Sequence, residues 1–128
     1  MDNDFYWIYI LECENGSFYT GIADDLSKRY SEHLKGTRKS KYTRAFKPVK
    51  IAGCWKLFGT RGEALRVEYL IKKKGRTYKE KLLTEPEILK DNVLSDLEID
   101  TIIDYIDPDS IELFNDKVQG DNNCEKEK

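Results

Sequence analysis

The chain has 128 residues, of which 36% are charged and 39% hydrophobic, with a formal net charge of −2 at neutral pH. That length gives one ordinary domain, able to bury roughly two thirds of its unfolded surface without a disulfide framework or a structural metal. Cys13, Cys54 and Cys124 are odd in number and lie far apart with no paired C-x-x-C spacing, which argues against both and fits a reducing cytoplasm.

The acidic start Met1-Asp2-Asn3-Asp4 is the opposite of a signal peptide's basic opening. No apolar run approaches the ~20 residues that cross a bilayer. A cytoplasmic protein without membrane contact is expected.

Residues 5 to 13 and 17 to 23 are rich in aromatic and β-branched side chains and flank Asn15-Gly16, a strong hairpin signal. A strict two-residue turn would pair Glu14 with Ser17 and send Tyr9 and Tyr19 to opposite faces. A loop of Glu14, Asn15 and Gly16, with Gly16 left-handed, instead pairs Cys13 with Ser17 and turns both tyrosines to one face. This second register is the expectation, and it leaves Ile8, Ile10, Phe18 and Ile22 facing a core.

Asp24 or Asp25 is placed to cap a helix reaching about Leu34, with Gly36 as its stop. Leu26, Tyr30 and Leu34 form its buried stripe, and Arg29 and His33 share the stripe beside it. Residues 36 to 48, GTRKSKYTRAFKP, read as a basic loop, and residues 49 to 58 as a third strand.

Thr60 and Glu63 form a capping box for a helix running toward Gly75, with Glu68 on it. Two further capping boxes, Thr84 with Glu87 and Ser95 with Glu98, predict more helix, and Asp107-Pro108 starts a last short one. The expected fold class is α+β, a small three-stranded antiparallel sheet flanked by helices with an additional C-terminal helical segment. The expected boundaries are a domain over 1–83, an acidic helical extension packed on it over 84–118, and a disordered polar tail over 119–128.

The near-zero net charge conceals three blocks. Residues 1–25 hold six acids and no bases, residues 26–81 hold 18 bases and 4 acids, and residues 82–128 hold 4 bases and 14 acids, giving −6, +14 and −10. Phosphate neutralisation is the commonest use of so basic a segment, and the plain alternative is that the acidic segment folds against it. The chain has one histidine, His33, so no two-histidine metal site or separate histidine-centred triad exists.

Tyr9, the Asn-Gly turn, Tyr19-Thr20-Gly21, Arg29 four residues before His33, and Glu68 in an apolar helix are each weak signals, since tyrosine in a strand is usually packing. Their order is much rarer. It resembles the GIY-YIG nuclease family over roughly residues 5 to 81, with Trp7-Ile8-Tyr9 at the first triplet and Tyr19-Thr20-Gly21 at the second. The chain departs from that pattern where Trp7 replaces the first glycine and Thr20 an isoleucine.

The resemblance implies that Tyr9 is the general base, Tyr19 a positioner of water or phosphate, and Arg29 the group on the scissile phosphate. It gives His33 a supporting or acid-base part and Glu68 a single divalent metal, Mg2+ or Mn2+. The chemistry agrees, because a guanidinium suits two phosphate oxygens at once and magnesium accepts one carboxylate if waters and phosphate complete its shell. A free phenol has a pKa of about 10, so Tyr9 needs a partner such as Arg29, Lys41 or the metal to ionise or to relay a proton.

Lys41-Tyr42-Thr43-Arg44 resembles a basic loop of small members of the family. Tyr42 is suited to stacking on a base or sugar, Lys41 and Arg44 to holding phosphates, and Lys72 and Arg76 to extending the strip. Lysines at that helix end equally complement the helix dipole.

These readings favour a metal-dependent DNA endonuclease of repair or recombination, selecting branched or flapped DNA by shape because no groove-reading element is evident. A non-catalytic nucleic-acid-binding module on the same fold is the alternative. An interaction module that recruits a protein through the acidic segment is a third.

Overall fold

The structure, a computed structural model, describes residues 4–36 and 41–111. Its centre is a four-stranded antiparallel sheet of order β2-β1-β3-β4, built from β1 (Tyr6–Cys13), β2 (Phe18–Ala23), β3 (Pro48–Phe58) and β4 (Ile102–Ile106). Between the strands run α1 (Leu26–Lys35), α2 (Lys41–Ala45), α3 (Arg61–Lys74), α4 (Arg76–Thr84) and α5 (Ile88–Leu97).

The hairpin takes the three-residue register. The Cys13 amide donates to the Ser17 carbonyl at 2.9 Å, and Gly16 sits at φ 85°, the left-handed region a Cβ disfavours. Leu11 therefore faces Tyr19, and Tyr9 faces Gly21.

Both faces of the sheet are covered. On one, Ile8, Ile10, Trp55, Leu57 and Ile103 pack against Val67 and Ile71 of α3, Leu82 of α4, and Leu89 and Val93 of α5. Phe18 and Ile22 join this core, as the alternation of β2 predicts. Each such large apolar side chain contributes about 1.5–3 kcal/mol on burial. On the other face Tyr9, Leu11, Ile51 and Cys54 meet Leu26 and Tyr30 of α1.

The caps of the first two long helices are the expected ones. Asp25 accepts from the Lys28 amide at 3.1 Å and Gly36 ends α1 at φ 69°, while Thr60 and Glu63 bond reciprocally at 3.0 and 3.1 Å to open α3.

The C-terminal third departs from the sequence reading. The apolar run at Ile102, Ile103 and Ile106 forms an edge strand paired with residues 54–58 of β3, which makes four strands where three are expected. Thr84 ends α4 instead of capping a helix, its hydroxyl donating to the Lys81 carbonyl at 3.0 Å. Ser95 lies inside α5, which stops at Leu97 with Glu98 left-handed at φ 57°.

A short isoleucine run satisfies either period, and here the free edge of β3 decides it. The acidic segment thus completes the sheet with helix and strand together, where only helix is expected. Asp107 does cap a single 3-10 turn, Pro108–Ser110. The tail expected over 119–128 lies outside the described residues.

Candidate active site

The site lies where β1, the edge strand β2, α1 and α2 meet. Register turns Tyr9 and Tyr19 to the α1 face, and helical spacing puts His33 one turn after Arg29. The Tyr9 hydroxyl lies 2.8 Å from His33 Nε2, and the Tyr19 ring centre is 5.1 Å from the imidazole. Arg29 donates to Glu32 Oε1 at 2.9 Å and shares a hydrogen bond with the Tyr9 phenol.

From the other side, Lys72 of α3 holds its ammonium 5.8 Å from the Tyr19 ring centre and 3.3 Å from Glu68 Oε2. The Glu68 carboxylate is within electrostatic reach of Tyr9. Six residues singled out in the sequence, Tyr9, Tyr19, Arg29, His33, Glu68 and Lys72, therefore lie around one corner of the sheet.

Arg29 acts on the Tyr9 phenol in the direction expected of a partner, yet the net shift of its pKa is upward. Burial raises it, with the Tyr19 phenol adding to the rise, and Arg29 opposes this without overcoming it. Burial also lowers His33, to about 4, helped by Arg29 and opposed by Glu32. His33 is consequently neutral near pH 7 and carries one ring proton. Burial works against the Arg29 charge, yet the bond to Glu32 and the proximity of Tyr9 more than offset it.

The residues at 41–45 form a helical turn where a loop is expected. That turn leaves Lys41 and Arg44 exposed and sends Thr43 inward, where its Oγ1 lies 2.7 Å from His33 Nδ1. Tyr42 stacks on Tyr19, with ring centres 5.7 Å apart at 17°, touches Phe46 at 5.3 Å, and donates its hydroxyl to Ser17 Oγ at 2.7 Å.

Arg76 donates to Glu80 at 2.9 Å and to the Gly16 carbonyl at 2.8 Å, and its guanidinium lies 4.7 Å from the Phe18 ring centre. Lys79 donates to the Phe18 carbonyl at 2.8 Å. These two cations satisfy outward carbonyls of the hairpin, which blunts an edge that would otherwise invite another strand. The predicted phosphate contacts Lys41, Arg44, Lys72 and Arg76 are all exposed, Lys72 while paired with Glu68 and Arg76 while paired with Glu80.

Thr43 and Gly21 stand inside motifs read from the sequence, yet neither is given a role there. A Cβ on Gly21 would stand 2.5 Å from the Tyr9 hydroxyl oxygen, so the phenol occupies the space a side chain would fill. The hairpin register carried that signal, because it pairs Tyr9 with residue 21. Thr43 carried none, being one polar residue in a basic run.

Among the described residues no group of three or more His, Cys, Asp or Glu side chains could hold a metal ion. A magnesium-type ion asks for less than such a group, leaning on one carboxylate with waters and substrate phosphate. Glu68 places a carboxylate at this corner, only partly exposed and with the Lys72 ammonium already at 3.3 Å. No helix among the described residues is long and apolar enough to cross a membrane.

A mixed sheet-and-helix domain with tyrosines, arginine, histidine and glutamate at one edge defines a nuclease-type fold. Residues 5–81 match the GIY-YIG catalytic domain, and the chain belongs to the GIY-YIG family, as one of its small members. It is similar to UPF0213 proteins. That of Cupriavidus necator is 44% identical over 80 residues, covering 62% of this chain and 85% of the relative.

The UPF0213 protein of Fusobacterium nucleatum is 41% identical over 93 residues, covering 73% and 87%. The solution NMR structure of the UPF0213 protein from Bacillus halodurans shares 39% identity, covers 62% of this chain and 83% of that one, and superposes with a TM-score of 0.41. Membership implies DNA binding.

Proposed function

We propose that the chain is a metal-dependent DNA endonuclease, hydrolysing phosphodiester bonds in branched or flapped DNA during repair or recombination in the cytoplasm. The observation that supports it best is the contact of Tyr9 with His33 at 2.8 Å beside Arg29, with Glu68 and Lys72 facing them across Tyr19. Arg29 would bind the scissile phosphate with paired N–H donors, and Tyr19, stacked and fixed by Tyr42, would orient the water or phosphate. Glu68 would hold a divalent ion, which supplies positive charge to the phosphate and an acidified water when bound.

Tyr9 then has no need to ionise. It accepts a proton from the attacking water as its own hydroxyl proton moves to His33 Nε2, so neither a free phenolate nor a free hydroxide accumulates. Protonating an imidazole of pKa about 4 at neutral pH costs roughly 4 kcal/mol, so His33 serves as a relay that returns its proton quickly.

Lys41 and Arg44 contact flanking phosphates, and Tyr42 braces Tyr19 at the strand's path. Lys72 and Arg76 extend the strip, Arg76 after releasing the hairpin carbonyl. With no groove-reading module among the described residues, shape is the basis of selection. The acidic surface of α5 and β4 would serve a protein partner.

Nicking of flapped, branched and plain duplex DNA with Mg2+ or Mn2+ tests this reading. Arg29→Ala and Glu68→Ala each lose about 100-fold or more in rate while binding DNA. Binding without metal-dependent cutting, equal in all three proteins, refutes catalysis and leaves a binding module.

A further inference from the structure

His33 is fully buried and sandwiched between two hydroxyls, the Tyr9 phenol on Nε2 at 2.8 Å and Thr43 Oγ1 on Nδ1 at 2.7 Å. A neutral imidazole has one N–H and one bare nitrogen, and a hydroxyl can serve either. Two arrangements are therefore possible. In one, Nδ1–H donates to Thr43 and the phenol donates to Nε2. In the other, Nε2–H donates to Tyr9 and the threonine hydroxyl donates to Nδ1.

The arrangements differ in what Tyr9 can do. With Nε2 bare, the phenol proton points at the imidazole, Arg29 uses one lone pair, and the other is open to a water proton. With Nε2–H, both lone pairs are taken by N–H donors and the phenol proton points outward, so Tyr9 can only donate to a water.

A phenol is a better donor than an aliphatic alcohol, and the alcohol accepts as well as the phenol does. The pair therefore settles with Nδ1 protonated, provided a hydroxyl faces Nδ1. Without it, a bare buried acceptor is cheaper than an unpaired N–H, and the proton moves to Nε2.

We propose that Thr43 is a positioning residue that sets the tautomer of His33, keeping the proton on Nδ1 so that Nε2 remains a bare acceptor for the Tyr9 phenol. The activity arm of the test rests on the nuclease reading above; the spectroscopic arm does not.

The test is a long-range 1H–15N correlation spectrum of the 15N-labelled full chain near pH 7, in which the single histidine gives one imidazole pattern. Wild type is expected to show a protonated Nδ1 and an unprotonated Nε2. Thr43→Val, nearly the same shape, is expected to exchange the two and to lower kcat for nicking by about 10–100-fold with KM moved less than about twofold. Thr43→Ser restores the wild-type pattern and most of the rate.

Nε2–H in wild type, or a wild-type pattern in Thr43→Val, overturns the proposal. If Thr43→Val does not fold, the wild-type and Thr43→Ser spectra still decide it, since Nε2–H in either is fatal. The expected nitrogen patterns with no nicking by wild type would sink the nuclease reading while leaving the assignment of Thr43 intact.

Discussion

Gly21→Ala is the smallest change that reaches the proposed chemistry, because it adds one methyl group directly beneath Tyr9. The new Cβ would lie 2.5 Å from the phenol oxygen and 2.6 Å from Cζ. Comfortable contact needs about 3.5 Å, so the ring must move on the order of 1 Å. Tyr9 is 1% exposed, so the ring cannot swing into solvent.

Such a displacement disturbs the contact of the phenol with His33 Nε2, now 2.8 Å away. Misplacement of that size reduces catalysis by about 100-fold, and overpacking a tight core costs about 1–3 kcal/mol. Gly21 is not among the glycines at positive φ, so alanine meets no backbone strain there and the effect belongs to Tyr9. Steady-state nicking of a flapped duplex with urea unfolding measures both quantities.

Gly62→Ala is the control, since its Cβ would meet nothing closer than Thr60 Oγ1 at 3.9 Å in the first turn of α3. It should hold its rate and gain up to about 1 kcal/mol from helix propensity. Wild-type rate and stability in Gly21→Ala would refute the placement of Tyr9 against β2.

Thr20 Oγ1 is buried with no hydrogen-bond partner among the described residues, so Thr20→Val should stabilise the protein by about 1 kcal/mol in urea unfolding, and a loss of stability would reveal a hidden partner. His33 binds a proton below about pH 4 when folded and near 6.5 when unfolded, so its contribution is complete above 6.5 and fades as pH falls toward 4. The total is about 3 kcal/mol; urea midpoints across that window should steepen in wild type relative to His33→Gln, and parallel curves would refute it. Thr60→Ala removes the hydroxyl that accepts from the Glu63 amide, leaving the backbone half of the α3 capping box, and should cost about 1 kcal/mol in the same assay.

The hairpin and α3 were legible because their signals are local and redundant. Asn15-Gly16 marks the turn, Thr60 and Glu63 the helix start, and a wrong register would have split two tyrosines across the sheet. From that register the pairing of Tyr9 with Gly21 follows.

The strand at 102–106 was not legible. Ile102, Ile103 and Ile106 suit a helix stripe as well as a strand, and the decision belongs to the open edge of β3, dozens of residues away. Thr43 was hidden for a similar reason. Its neighbours Lys41, Tyr42 and Arg44 point outward, and only the docking of the turn 41–45 on α1 makes residue 43 an interior position.

The charge blocks bear on what the basic middle is for. If the acidic segment existed to neutralise it, ion pairs should cross between the two, yet of the pairs found among the described residues one does, Lys74 with Asp96 at 3.2 Å. The others stay within a block or bind β1, as Lys50 does to Glu12 at 3.8 Å. The acidic elements instead enter the fold through apolar contacts, Leu89 and Val93 from α5 and Ile103 from β4, with the Trp55 indole donating to the Pro86 carbonyl at 3.0 Å. Packing thus holds the acidic third in place by apolar contacts, while Lys41 and Arg44 of the basic middle stay exposed to solvent.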